Sequence, residues 1–215
     1  MLALSLTGCG TITGTTPLAR VSLTAEEVEF SRALAHFSRG LICEQGTIRD
    51  TRGAIAHYEA AAKLDPARSL TYSRLGGAYL QHQMTDNAIK ALKKAADLAP
   101  GSVETFIDLA KVCQLSGKIE EAIKAYNRAL TVSPTNSGIY ASLASLLFFE
   151  QRNTEAMELL EKGLSGVQDK KTLLAYCFSR GREYLLRLDV QKAIPCFELI
   201  SRHIKPPQKQ QVEYL

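Results

Sequence analysis

The chain lacks the residue patterns that most directly indicate an enzyme or a metalloprotein. Its 215 residues include four histidines and five cysteines, and no Cys-x-x-Cys or His-Glu-x-x-His arrangement occurs among them. No glycine-rich phosphate loop follows a strand-like segment, and no alternating strand pattern is evident. The sequence therefore predicts neither a metal site nor a cofactor. We expect a non-catalytic protein without a small-molecule substrate.

Long apolar runs and concentrated charge are also scarce. No apolar run reaches the roughly 18 residues that a membrane-spanning helix requires. The formal net charge is only +4, and the charged residues are scattered rather than gathered into a basic stripe with interleaved aromatics. This distribution is typical of solvated helix surface, and we expect no nucleic acid partner.

What the sequence does contain is a regular repeat. Alanines and prolines recur at an interval of 34 residues, the alanines at Ala54, Ala88, Ala122 and Ala156 and the prolines at Pro66, Pro100 and Pro134. A segment of this length accommodates two short helices, and such a pair cannot bury its apolar side alone. We therefore expect stacked helix pairs and not one globular core.

Each unit has the same internal order of residues. The first half of a unit has an aromatic residue, then Leu next to a small residue, then another bulky residue. The second half has Ala, then an aromatic residue or Leu, then a second Ala. The second unit shows this most clearly, with Tyr72, Leu75, Gly76, Tyr79, Ala88, Leu92, Ala95 and Pro100. The first unit carries about two extra residues around positions 46–52, and in the fifth unit Ala193 follows Ala156 by 37 residues.

This order resembles the tetratricopeptide repeat. The resemblance implies an all-α fold, a right-handed α-solenoid of about five helix-turn-helix units over residues 25–206. The units are expected at about 27–66, 69–102, 103–136, 137–170 and 174–206, and residues 207–215 resemble the start of a further helix or a partial cap. Small residues such as Gly76 and Ala122 would let helices approach closely, while Phe106 and Tyr126 would fill the wedge between successive pairs.

The resemblance also implies a concave groove that holds a protein or peptide partner. The candidate groove residues are the first-helix residues not used for packing: Ser73, Gly77, Gln81, Ile107, Lys111, Gln114, Ala141, Ser145, Phe148, Phe178, Arg182 and Leu185. Chaperone-binding members clamp a carboxylate with Lys and Asn where this chain has Ser73 and Gly77, so we do not expect a cochaperone. We expect apolar groove surface near Phe148 and Phe178, whereas Phe149 is at least as well explained by packing against the next pair.

The extreme N-terminus carries a second resemblance. Leu6-Thr7-Gly8-Cys9 resembles the lipobox of bacterial lipoproteins, which implies a lipid on Cys9, a signal-peptide remnant at residues 1–8 and a tether at residues 9–24. No Lys or Arg precedes Cys9, so we expect the true start to lie upstream. Gly10 stands where Asp would indicate inner-membrane retention, which implies the outer membrane of a bacterial envelope, facing the periplasm.

The remaining cysteines have mainly structural interpretations. Cys43 and Cys113 occupy the slot of Tyr79, which predicts small buried hydrophobes. Cys177 and Cys196 could face one another, and whether they form a disulfide stays open.

Taken with the resemblance, these features predict a scaffold for other envelope proteins, tethered through Cys9. Two alternatives stay open: a cytoplasmic adaptor without lipid, or the repeat arm of a larger enzyme.

Overall fold

The computed structural model describes residues 23–47 and 49–204. Within these ranges the chain forms ten α-helices and no strand, which confirms the predicted all-α solenoid. The helices are α1 Ala25–Gln45, α2 Thr51–Leu64, α3 Ser69–Gln81, α4 Thr85–Leu98, α5 Val103–Leu115, α6 Ile119–Val132, α7 Ser137–Phe149, α8 Asn153–Gly166, α9 Lys171–Leu186 and α10 Val190–His203. Cys9, the predicted signal-peptide remnant, most of the predicted tether and residues 207–215 lie outside the described residues.

The helices pack as five successive pairs, from α1 with α2 to α9 with α10. Successive pairs stack through α2 on α3, α4 on α5 and α6 on α7. Each pair falls within one of the predicted intervals, except that α1 and α9 begin earlier, at Ala25 and Lys171. None of the described helices is both long and apolar enough to cross a membrane.

The two irregular units have different causes. The first pair is joined by residues 46–50, whereas the other pairs have three-residue connections, so the extra residues predicted near 46–52 lengthen a loop. In the fifth unit the extra residues lie inside a helix, because α9 has 16 residues whereas α3, α5 and α7 have 13 each. The fifth pair also meets the fourth differently from the other pairs, chiefly through α9 on α7.

Small residues permit close helix contact inside each pair, as the repeat predicts. A Cβ atom added to Gly76 would lie 2.6 Å from Leu92 Cγ, so α3 and α4 meet where no larger side chain fits. Ala122 of the third unit is fully buried, and Phe106 and Tyr126 beside it are 1% and 2% exposed. The predicted division between small contact residues and bulky wedge residues is confirmed.

The three-residue connections share one backbone conformation. Gly117 has a φ of +72°, and the equivalent positions Gln83, Gln151 and Leu188 have φ angles of 59°, 61° and 61°. This left-handed conformation ends the first helix and turns the chain into the second. Only Gly117 adopts it without the steric penalty that a Cβ atom brings.

Candidate functional site

The first helices carry the predicted groove residues, and one open cavity brings several of them together. Gln114 of α5 and Ala141 and Ser145 of α7 line a space of about 340 Å³, with Tyr126 and Ser142 beside them. Gln114 and Ser145 are exposed, whereas Tyr126 is 2% exposed. The third and fourth units thus present a polar rim above an aromatic side chain.

At the predicted groove positions, the second unit offers open space and few side chains. Gly77 is exposed, and a Cβ atom there would meet nothing within 4 Å. Gln81 is exposed at the end of α3. Ser73 instead contributes to stacking, since its hydroxyl oxygen lies 3.3 Å from Thr105 Oγ1 of α5.

In the third unit Ile107 is half-buried against the core, and Lys111 is exposed. The Lys111 ammonium lies 3.9 Å from Asp108 Oδ1, at the limit of an ion pair. Because both side chains are more than half exposed, this contact adds little stability. The Lys111 charge is accessible to a bound partner.

Phe148 does not provide groove surface, so the prediction that it is displayed there is wrong. It is 4% exposed, and its ring centroid lies 6.4 Å from that of Tyr176 and 6.3 Å from that of Tyr184. The guanidinium carbon of Arg180 lies 4.8 Å from the same centroid. Helix α9 packs directly on α7 at this junction, and its side chains cover Phe148.

The neighbouring Phe149 is the exposed phenylalanine, with 74% of its surface accessible. It is the last residue of α7, and the last residues of α5 and α9, Leu115 and Leu186, are 70% and 78% exposed. We call these three residues the apolar row. The corresponding positions in the first two units hold Gln45 and Gln81, so the row is confined to units three to five.

Sequence reasoning missed Leu115 and Leu186, although their spacing offered a signal. Leu115 precedes Phe149 by one repeat interval, and Leu186 follows it by the longer interval that also separates Ala156 and Ala193. Leu115, Phe149 and Leu186 each lie directly before a three-residue connection, at the end of a first helix. The available signal was therefore the periodic spacing of apolar residues at the last position of three successive first helices.

The fifth unit adds apolar and cationic surface. Phe178 and Leu185 of α9 are 54% and 43% exposed, and Arg182 is exposed between them. The Phe178 ring meets Phe197 of α10 edge to face, with centroids 6.1 Å apart. Part of Phe178 thus supports its own pair, while the rest is available. That the groove residues bind a partner stays a prediction.

Some polar groups in the interior of the described chain join neighbouring helices. The Tyr79 hydroxyl donates to Glu59 Oε1 at 2.5 Å, joining α3 to α2, and burial together with this carboxylate raises the pKa of Tyr79 to about 12. Cys113, Cys177 and Cys196 are buried free thiols. Burial raises the pKa of Cys177 to about 12, so this thiol is a poor nucleophile at neutral pH.

The histidines and acidic residues do not assemble into a metal centre within residues 23–47 and 49–204, where no group of three candidate ligands is found. His36 and His57 do meet, with their Nδ1 atoms 3.2 Å apart. This contact joins α1 to α2 across the first pair.

Comparison with known proteins identifies the repeat. Residues 68–135 and 114–174 match family models described as tetratricopeptide repeat. No curated protein sequence matches the chain.

Solved structures share the fold over most of its length. A structure of the MamA protein is 24% identical, covers 80% of this chain and 92% of its own, and has a TM-score of 0.64. YrrB, described as a protein of this repeat class with an unusual peptide-binding site, is 17% identical, covers 84% and 92%, and has a TM-score of 0.59. PilF from Pseudomonas aeruginosa is 20% identical, covers 80% and 76%, and has a TM-score of 0.55. The described chain is an all-α tetratricopeptide-repeat solenoid.

Proposed function

We propose that this solenoid is a non-catalytic scaffold that binds a protein or peptide partner along units three to five. The observation that carries the proposal is the apolar row. Leu115, Phe149 and Leu186 are each at least 70% exposed, on three successive units. Apolar surface that recurs in this way usually marks a site for a protein partner.

The surroundings of the apolar row indicate what kind of segment it accepts. Lys111 and Arg182 supply exposed positive charge on α5 and α9, and Gln114 and Ser145 supply hydrogen-bonding groups. A partner segment with spaced apolar side chains and acidic residues between them would satisfy both kinds of surface. The peptide-binding site described for YrrB, which has the same fold, supports this mode of recognition.

The proposal is tested by site-specific photocrosslinking in cells. A photoreactive residue at Phe149 or Leu186 should capture one common partner, because the two positions are at least 70% exposed on neighbouring units. The same residue at Lys124, which is exposed on the second helix α6, is the control and should not capture it.

Replacement of the apolar row then tests the assignment directly. The protein carrying Phe149→Ser and Leu186→Ser should retain its helicity and thermal midpoint, because both side chains are exposed, but should no longer copurify with the crosslinked partner. Recovery of that partner in undiminished amount would contradict the proposal.

We further propose that Cys9 carries a lipid and tethers the scaffold to a bacterial envelope, at the outer membrane facing the periplasm. The Leu6-Thr7-Gly8-Cys9 sequence supports this. The array begins at Ala25, so about 15 residues separate it from Cys9. One acyl chain gives only marginal binding, so firm attachment takes at least two.

The lipid proposal has its own experiment. Cys9→Ala, or inhibition of the lipoprotein signal peptidase with globomycin, should change both the apparent size and the membrane fractionation of the protein. Binding of the partner in solution should be unaffected, so the two proposals can fail separately. Unchanged size and fractionation would exclude lipidation at Cys9.

A further inference from the structure

The outward stripe of the last described helix is apolar and open. Val190 and Ile194 of α10 are 52% and 48% exposed, and Phe197 beside them is partly buried. Ile204, which directly follows the helix, is 49% exposed. Spacings of four and three residues place Val190, Ile194 and Phe197 on one side of the helix, and Ile204 adds apolar surface at its end. We call the four residues the α10 stripe.

Equivalent residues in earlier units are covered by the helix that follows. Counted from the repeat alanine, Ile123 and Tyr126 of α6 correspond to Ile194 and Phe197, and they are 9% and 2% exposed. Helix α7 packs against α6. In α4 the residue equivalent to Ile194 is Ile89, which is 3% exposed beneath α5. The α10 stripe is therefore the surface on which a following unit stacks.

The sequence after α10 repeats the opening of a unit. In units two to four, an aromatic residue follows a proline by six positions and a leucine follows it by nine, as in Pro66, Tyr72 and Leu75, Pro100, Phe106 and Leu109, and Pro134, Tyr140 and Leu143. Pro206, Val212 and Leu215 have the same spacing, with valine in the aromatic position. In the sequence, Pro206 comes three positions after the end of α10 at His203.

We propose that residues 206–215 form the opening of a sixth unit and dock on the α10 stripe through Val212 and Leu215. The residues in these two positions of the third unit, Phe106 and Leu109, are 1% and 8% exposed. Ten helical residues span about 15 Å, which is most of the length of α10. A repeat with an open apolar face requires a cover, and residues 206–215 follow α10 in the sequence with the proline, aromatic and leucine spacing of a unit opening.

The docking is independent of what units three to five bind, and an introduced fluorophore tests it. The chain has no tryptophan, so Val212→Trp places a single indole where the other units carry an aromatic residue. In the full 215-residue protein, tryptophan emission should lie at shorter wavelength than in urea. It should move to longer wavelength when Ile194→Asp is added.

Leu70→Asp is the matched control, because Leu70 of α3 is 49% exposed and lies far along the chain from the stripe. It should leave the emission unchanged. Native emission equal to that in urea, or emission insensitive to Ile194→Asp, overturns the proposal. A shift that develops only as protein concentration and molecular mass rise would assign the stripe to a second copy and also overturn it.

Thermal unfolding gives a second measurement that needs no tryptophan. Val212→Asp and Ile194→Asp should each lower the thermal midpoint, and the double variant should lower it by less than the two decreases together, because the contact is already lost. Additive decreases would show that the residues do not contact each other.

Discussion

At the scale of single residues, Phe148 and Phe149 give the sharpest contrast in the molecule. Phe148 is 4% exposed beneath Tyr176, Tyr184 and Arg180, while Phe149 is 74% exposed. Phe148→Ala should destabilise the fold by about 3 to 5 kcal/mol, because it leaves a cavity between α7 and α9. Phe149→Ala should change stability by less than about 0.5 kcal/mol. Urea unfolding followed by circular dichroism measures both, and equal losses would contradict the assigned burial.

The sequence predicts most core residues but could not predict which of these two phenylalanines is displayed. The close helix contact at Gly76 and the burial of Tyr126 are predictable from the repeat spacing alone, because the repeat determines which residues surround them. The environment of Phe148 depends instead on how α9 meets α7. A helix pattern gives the direction of a side chain, but it does not give the position of the next unit.

At the scale of elements, two glycines should respond in opposite directions to the same substitution. Neither a Cβ atom on Gly77 nor one on Gly117 would meet anything within 4 Å. Gly77 lies inside α3, so Gly77→Ala should stabilise the protein by about 0.5 to 1 kcal/mol. Gly117 has a φ of +72°, so Gly117→Ala should destabilise it by about 1 kcal/mol. Denaturant midpoints at unchanged slope test the pair, and a shared sign would show that the turn conformation is not the cause.

The elements were largely predictable because composition and spacing determine them locally. The period predicts five units of two helices, and the extra residues counted in the first unit fall in the loop between α1 and α2. The number of extra residues in the fifth unit follows from the sequence, but their location does not. An insertion near the start of a helix can lengthen either the loop or the helix. The structure places them in α9, and three side chains of that helix lie against Phe148.

At the scale of the whole molecule, ion pairs connect successive units and should make stability depend on pH. Lys118 Nζ lies 2.7 Å from Asp86 Oδ1, and Arg152 reaches Glu120 Oε1 at the same distance. The hydrogen bond and charge of Lys118 hold the pKa of Asp86 below its usual 3.8. A carboxyl with a lowered folded pKa contributes stability above its unfolded pKa and loses it as pH falls through the folded value.

The urea midpoint should therefore decrease as pH falls below about 4. Lys118→Met should lower the midpoint slightly at pH 7 and make the decrease between pH 7 and pH 3 smaller. The exposed charges limit the effect. Added salt should weaken the difference between the two proteins. An identical acid response in both would show that this pair is not coupled to folding.

The regular ion pairs between units also bear on how such an array can change its length. Each pair joins a carboxylate near the start of one second helix to a cation 32 positions later. Excision of residues 103–136 would bring Arg152 opposite Asp86, again an opposite-charge pair, and would rejoin α4 to α7 through surfaces of matching type. We expect deletion or duplication of an interior unit to be tolerated. The fifth unit is not interchangeable in this way, because Asp189 stands where Lys118 and Arg152 stand in their units, and a copy of it inserted after the second unit would set two carboxylates against each other.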